Sequence, residues 1–251
     1  MRVEVGMVNT LIAENLNEIS LQIAKAERQR PANYHADEYT TLIAASKLQS
    51  LEAIETAYHL GIRHFGENYV QEGVEKIQSI ALLQKIQPTP DIVWHLIGPL
   101  QSNKVKLAAE HFDWVDSVHS LKLLKKLSEH RRDQLPPINV CLQVNIDQAS
   151  TKQGFMPESD ELLAVMAEAA KLDRVCVRGI MVMPDIHEAA TLKHYFKSAY
   201  QLFLKLQAEC NNAAFDTLSM GMSQDYPLAI SQGATMIRLG SALFGARPAS
   251  N

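Results

Sequence analysis

Three short stretches carry residue types that could do chemistry together. "IAASK" ends an apolar run, Leu42 to Ala45, with Lys47 just beyond it. "TLSMGMSQD" (217–225) offers Ser219, Gly221 and Ser223, and "MIRLGSALFG" (236–245) offers Arg238, Gly240 and Ser241. Lysine is among the residues least often buried, because its charge is costly to desolvate. At the mouth of a pocket it has two main uses. Its ammonium can neutralise an anion, or its deprotonated amine can attack a carbonyl to form a Schiff base. Glycine and serine turns let backbone amides approach a phosphate closely. A phosphate-bearing aldehyde would call for both halves. Each stretch also has a plain explanation: a solvated lysine at a strand end, or a tight turn after a strand.

The elements that must position these residues alternate along the chain. A helix begins near Val8, with Ile12, Ile19, Ile23 and Ala26 on one face. After Pro31 the pattern predicts eight strands, each separated from the next by a helix. They fall at Leu42–Ala45, Ile62–Phe65, Ile92–Ile97, "FDWVDSV", "INVCLQVN", "VCVRGIMVM", "FDTLSM" and "TMIRLG". The helices between them run over Leu51–Leu60, Tyr69–Ile86, Val105–His111, 120–131, 158–172, 189–210 and 224–232, with Glu158 near the start of the fifth. Regular alternation implies parallel strands with right-handed crossovers. Eight such units fit a closed (β/α)8 TIM barrel with an extra N-terminal helix better than an open doubly wound sheet. A single domain over 1–251 is expected. Active sites of these barrels lie at the C-terminal strand ends, and the loops after strands seven and eight recur as phosphate sites. Lys47, His95, Asn145, Met183, Ser219, Arg238 and Gly240 all fall late in or just after strands.

Composition excludes several classes. The 251 residues are 47% hydrophobic and 21% charged, with a net charge of −4, so a role based on phosphate neutralisation along nucleic acid is disfavoured. The three cysteines lack CxxC spacing and read as reduced core residues, which fits a cytoplasmic protein. No targeting pattern and no membrane-length apolar run occurs, so no membrane role is expected. The nine histidines show no metal-ligand spacing, and His64 reads as a structural histidine. "KLLKKLSEHRR" (122–132) reads as a solvated basic helix face.

Five motifs then resemble one family. "ASK" (45–47), "HFGENYVQE" (64–72), "WHLIGPLQSNK" (94–104), "LSMGMSQD" (218–225) and "IRLGSALFG" (237–245) are similar to those of the pyridoxal phosphate homeostasis protein family, itself akin to the alanine racemase N-terminal barrel. The resemblance implies a fold-type-III barrel that binds pyridoxal 5'-phosphate (PLP). It implies Lys47 as the Schiff-base lysine and Arg238 as the residue facing the pyridine nitrogen. A guanidinium is a poor proton donor, so that arrangement weakens the cofactor's electron sink. Gly240 and Ser241 with Ser219 would hold the phosphate, the choice between Ser219 and Ser223 being left open. Asn68 would abut the cofactor, Met183 would pack near the ring, and His95 with Pro99 to Lys104 would complete the barrel mouth. "SKLQS" departs from the common "SKTKP", placing Gln49 where a second lysine is usual.

Racemisation needs acid–base groups on both faces of the cofactor adduct. The racemases take one from a second domain, which is not expected here because six residues follow Gly245. Tyr69 and Tyr226 are nearby hydroxyls that spacing does not choose between. The expectation is therefore a monomeric holder of PLP that hands it over, with PLP-dependent apoenzymes as recipients; the resemblance implies the same, a non-catalytic regulator of PLP (vitamin B6) pools that affects amino- and keto-acid balance. A weak racemase and a cofactor-free Schiff-base aldolase are the alternatives.

Overall fold

The computed structural model describes residues 2–31, 39–83, 91–157, 160–186, 188–210 and 212–245. Glu158 lies outside them. The eight strands are β1 (Thr41–Ala45), β2 (His64–Glu67), β3 (Val93–Leu96), β4 (Trp114–Val118), β5 (Ile138–Val144), β6 (Val175–Val182), β7 (Thr217–Ser219) and β8 (Met236–Leu239). They are parallel and close in sequence order, with β1 paired to β8 through Ile43 opposite Arg238. Closure rules out the open sheet. The helices are α1 (Arg2–Glu27), α2 (Leu51–His59), α3 (Val70–Leu83), α4 (Val105–His111), α5 (Leu121–His130), α6 (Asp160–Ala169), α7 (Ala189–Glu209), α8 (Tyr226–Ser231) and α9 (Ser241–Phe244).

Local chemistry accounts for several boundaries. Ser50 and Ser120 cap α2 and α5 by accepting from the amides of Ala53 and Leu123, and the Glu188 carboxylate caps α7. Most of the apolar core lies between the barrel wall and the helices, where Phe65, Phe112, Phe196 and Phe215 are fully buried. Each such side chain stabilises the fold by about 1.5–3 kcal/mol. A smaller cluster, Ile43, Trp114, Cys141, Met181 and Met236, fills the barrel interior. The interior is tight: a Cβ on Gly66 would lie 2.8 Å from Ile43 and 2.9 Å from Ile97.

Helix α1 braces the last two helices. Asn15 donates to the Leu243 carbonyl at 2.9 Å, and the Tyr226 hydroxyl donates to Gln22 at 2.7 Å. The structure also corrects two expectations. Strand β2 runs two residues later than the apolar pattern implies, because Ile62 is spent on closing the C-terminal end of α2, its amide bonding the Ala57 carbonyl. The basic helix is not uniformly solvated. Arg131 is 3% exposed and donates to the carbonyls of Pro136, Ala109 and Phe112, pinning the α4–α5 region.

Candidate functional site

At the C-terminal end of the barrel, β1 runs into a turn that carries Lys47. Ser46 is buried and its carbonyl accepts from the Gln49 amide at 2.9 Å, closing the turn. Leu48 within that turn adopts φ of 60°, the left-handed region that glycine or asparagine normally occupies. Lys47 itself is half-buried. On the neighbouring strand, Gly240 lies against Ala45: a Cβ added there would stand 3.6 Å from the Ala45 side chain. The end of β8 therefore reaches the same corner of the barrel as the lysine turn.

Beyond β8, two amides converge on one oxygen. Ser223 Oγ accepts from the Gly240 amide at 3.3 Å and from the Ala242 amide at 3.1 Å. Gly221 permits this approach with φ of 100°, and its carbonyl accepts from the Arg238 amide. A hydroxyl oxygen thus fills a seat made of backbone donors, the kind of place a phosphate oxygen takes. Ser241 begins α9 at the same loop. Ser219, expected alongside these residues, is elsewhere. It is fully buried, and its Oγ accepts from Arg238 Nη1 at 2.6 Å. Ser223 holds the position at the loop.

Arg238 reaches across the barrel interior, its Nη2 donating to the Val182 carbonyl at 3.1 Å. Burial lowers its pKa from the ordinary arginine value, and the Asp116 carboxylate opposes that shift. Asp116 is fully buried with Oδ1 3.3 Å from His95 Nδ1, and its Oδ2 meets no hydrogen-bond partner among the described residues. His95 Nε2 is 2.9 Å from His64 Nδ1, and the His95 ring stacks on Trp114. Burial, then the neighbouring His95, pushes the His64 pKa down to about 4. His95 was expected at the mouth; the structure buries it in the interior, where it belongs to a polar chain running from His64 toward Arg238. His64 is the satisfied structural histidine that the sequence implied.

The remaining expected residues divide. Asn68 follows β2 directly, its backbone so close to Gly98 that a Cβ there would stand 2.3 Å from the Asn68 carbonyl oxygen. Met183 is exposed just past β6, and its carbonyl accepts from Lys152. Asn145 spends its side chain closing its own loop through both Ala149 backbone groups. The segment from Pro99 to Lys104 forms an exposed turn beyond β3, with Leu100 buried beneath it.

Sequence reasoning missed a polar cluster under the lysine turn. The Ser46 hydroxyl donates to Glu67 at 2.6 Å, and Lys76 donates to Glu67, to Glu72 and to the Ser46 carbonyl. Burial raises the Glu67 pKa, against the pull of Ser46 and Lys76. The signal available was weak: a glutamate at the end of a strand and a lysine one helix later. Among the described residues no group of His, Cys, Asp and Glu is arranged to hold a metal, and no helix is long and apolar enough to cross a membrane.

The comparisons with known proteins agree with this architecture. The family model for the alanine racemase N-terminal domain matches residues 25–248. The chain is 42% identical over 237 residues to the pyridoxal phosphate homeostasis protein of Haemophilus influenzae, covering 94% of this chain and 96% of that one. It is 41% identical over 238 residues to the protein of the same name from Escherichia coli K12, covering 94% and 97%. Among solved structures, PipY of Synechococcus elongatus with PLP bound matches with a TM-score of 0.76 at 37% identity, covering 93% of this chain and all of that one. An alanine racemase from Clostridium difficile shares the fold at a TM-score of 0.69 and 16% identity, covering 96% of this chain and 61% of its own length. The chain belongs to the pyridoxal phosphate homeostasis protein family, whose barrel is that of the alanine racemase N-terminal domain.

Proposed function

We propose that this chain binds PLP through a Schiff base on Lys47 and acts non-catalytically in PLP homeostasis. In this reading it works in the cytoplasm as a monomeric, single-domain barrel that holds the cofactor and yields it to PLP-dependent apoenzymes. The observation that carries the reading is the seat between the Gly240 and Ala242 amides, filled by Ser223 Oγ and set against the strand that delivers Lys47. The serine seated there fits a phosphate as a hydroxyl donor, and a lysine two residues beyond Ala45 fits an aldehyde. The name of the relatives and the PLP-bound state of PipY support the same assignment.

When bound, PLP supplies an aldehyde that condenses reversibly with a primary amine, together with a phosphate that anchors it. The rest is done by the chain. Lys47 would provide the amine to which the aldehyde condenses. The Ser223 and Ser241 hydroxyls provide donors at the phosphate end, Ser223 Oγ being held in place by the Gly240 and Ala242 amides. Arg238, kept in place by Ser219 and the Val182 carbonyl, presents a cation that does not give up its proton at neutral pH. Asn68 and Met183 border the mouth. His95 lies beneath the mouth, paired with Asp116.

A carrier role is supported by the settings of the two tyrosines. The Tyr226 hydroxyl is engaged with Gln22 on α1, on the outside of the barrel, and Tyr69 is 60% exposed. Tyr226 is thus committed to α1, and Tyr69 stands largely in solvent rather than in the desolvated setting that tunes an acid–base group. The test is to load the purified protein with PLP, remove the excess, and screen amino acids for racemisation or transamination. Retained PLP without turnover supports the carrier. Turnover of an amino acid that disappears in Lys47→Ala would replace it with an enzyme.

A further inference from the structure

Lys47 stands at the second position of a four-residue turn, Ser46 to Gln49, whose third residue is a leucine at φ of 60°. A non-glycine residue in that region persists where its surroundings over-determine it. Here the surroundings are one ion pair on α3. Lys76 Nζ donates to the Ser46 carbonyl at 2.7 Å, and Glu72 Oε1 accepts from the Leu48 amide at 2.6 Å. The two side chains bond each other at 2.7 Å, one helical turn apart.

The covalent geometry gives this arrangement its meaning. The Ser46 carbonyl belongs to the peptide unit before the Lys47 Cα, and the Leu48 amide belongs to the unit after it. Both planes that bracket Lys47 are therefore tied to the same ion pair, which fixes the two soft torsions of that residue. The pair is itself anchored: Lys76 is 8% exposed and also bonds Glu67, which receives the Ser46 hydroxyl. Four side chains from β2, α3 and the turn converge behind one residue.

We propose that Glu72 and Lys76 are positioning residues: a two-point clamp that presets the Lys47 backbone for condensation with an aldehyde. The proposal rests on the reading that Lys47 carries PLP. Condensation replaces the aldehyde C=O with a C=N double bond to Lys47 Nζ, the carbonyl oxygen leaving as water with the two hydrogens of the neutral amine. It demands that the lysine stem leave the turn in a fixed direction. Noncovalent binding of the phosphate end makes no such demand. Releasing one residue from a single backbone well is worth about a factor of ten in an equilibrium constant. The clamp thus acts on ligands that condense with Lys47 and is silent for those that do not.

Glu72→Ala is the informative variant, since the Glu72 side chain is 23% exposed and its removal leaves Lys76 paired with Glu67. Affinities of wild type, Glu72→Ala and Glu72→Gln are measured for PLP and for pyridoxamine phosphate, which carries an amine in place of the aldehyde. Thermal melting confirms that each variant is folded. The clamp predicts that Glu72→Ala weakens PLP about tenfold and pyridoxamine phosphate less than twofold, while Glu72→Gln, which keeps the acceptor, stays near wild type. Equal PLP affinity in wild type and folded Glu72→Ala would overturn the clamp. So would a parallel loss for both ligands, which marks a general structural role. Failure of wild type to bind PLP at all would instead overturn the reading on which the clamp depends.

Discussion

His64 supplies a prediction whose sign and size follow from its surroundings. Burial and the adjoining His95 lower its pKa from 6.5 to about 4 in the folded chain. Between those values the unfolded chain binds the proton and the folded chain does not, so stability rises with pH across that window and falls as pH drops through it. At pH 5 the full linkage would remove about 2 kcal/mol. The ring is only part-buried, and solvent screening trims this to about 1 kcal/mol. Urea unfolding of wild type and His64→Asn at pH 7 and pH 5 isolates the effect, because Asn does not titrate. Groups with raised pKa values, such as Glu67, Asp113 and Asp225, are common to both proteins and cancel in the difference. Wild type should lose about 1 kcal/mol more than the variant on acidification. Equal losses would refute the account of His64 as a neutral histidine held against protonation.

Two further substitutions test other parts of the structure. Arg131→Met removes the donor from three carbonyls in the α4–α5 region and should cost about 3 kcal/mol in chemical denaturation, with no loss of PLP affinity beyond that due to unfolding. Ser223→Ala deletes the oxygen between the Gly240 and Ala242 amides. It should weaken PLP and pyridoxamine phosphate together by about three- to tenfold, the value of one hydrogen bond, whereas a change confined to PLP would place Ser223 at the wrong end of the ligand.

How much of this was legible depends on what the sequence encodes locally. The barrel was, because eight alternations of apolar runs and amphipathic segments leave few other packings. Strand β2 was displaced because its later residues, Gly66 and Glu67, have poor strand propensity while Ile62 has good propensity. The glycine is required by the side chains of Ile43 and Ile97, and the glutamate by Ser46 and Lys76, both of them contacts across the fold. Lys47 and the Gly240 loop were legible as residue types at strand ends. The depth of His95 and Ser219 was not, since a strand shows which face a residue takes more readily than how far down the barrel it lies. Arg131 misled for a similar reason: at the end of a basic helix its charge looks solvated, until α4 and the Pro136 carbonyl close around it. The clamp on Lys47 left almost no trace, because its members come from three elements and only the Glu72–Lys76 spacing is local.

The central claim is that Lys47 is the point of attachment for PLP. The most direct measurement is borohydride reduction of the PLP-loaded protein followed by peptide mapping, with Lys47→Ala in parallel. The account predicts one phosphopyridoxyl group, on the peptide containing Lys47, and none in the variant under the same loading. A folded wild-type protein that retains no adduct, or one whose label falls on another lysine, would contradict it.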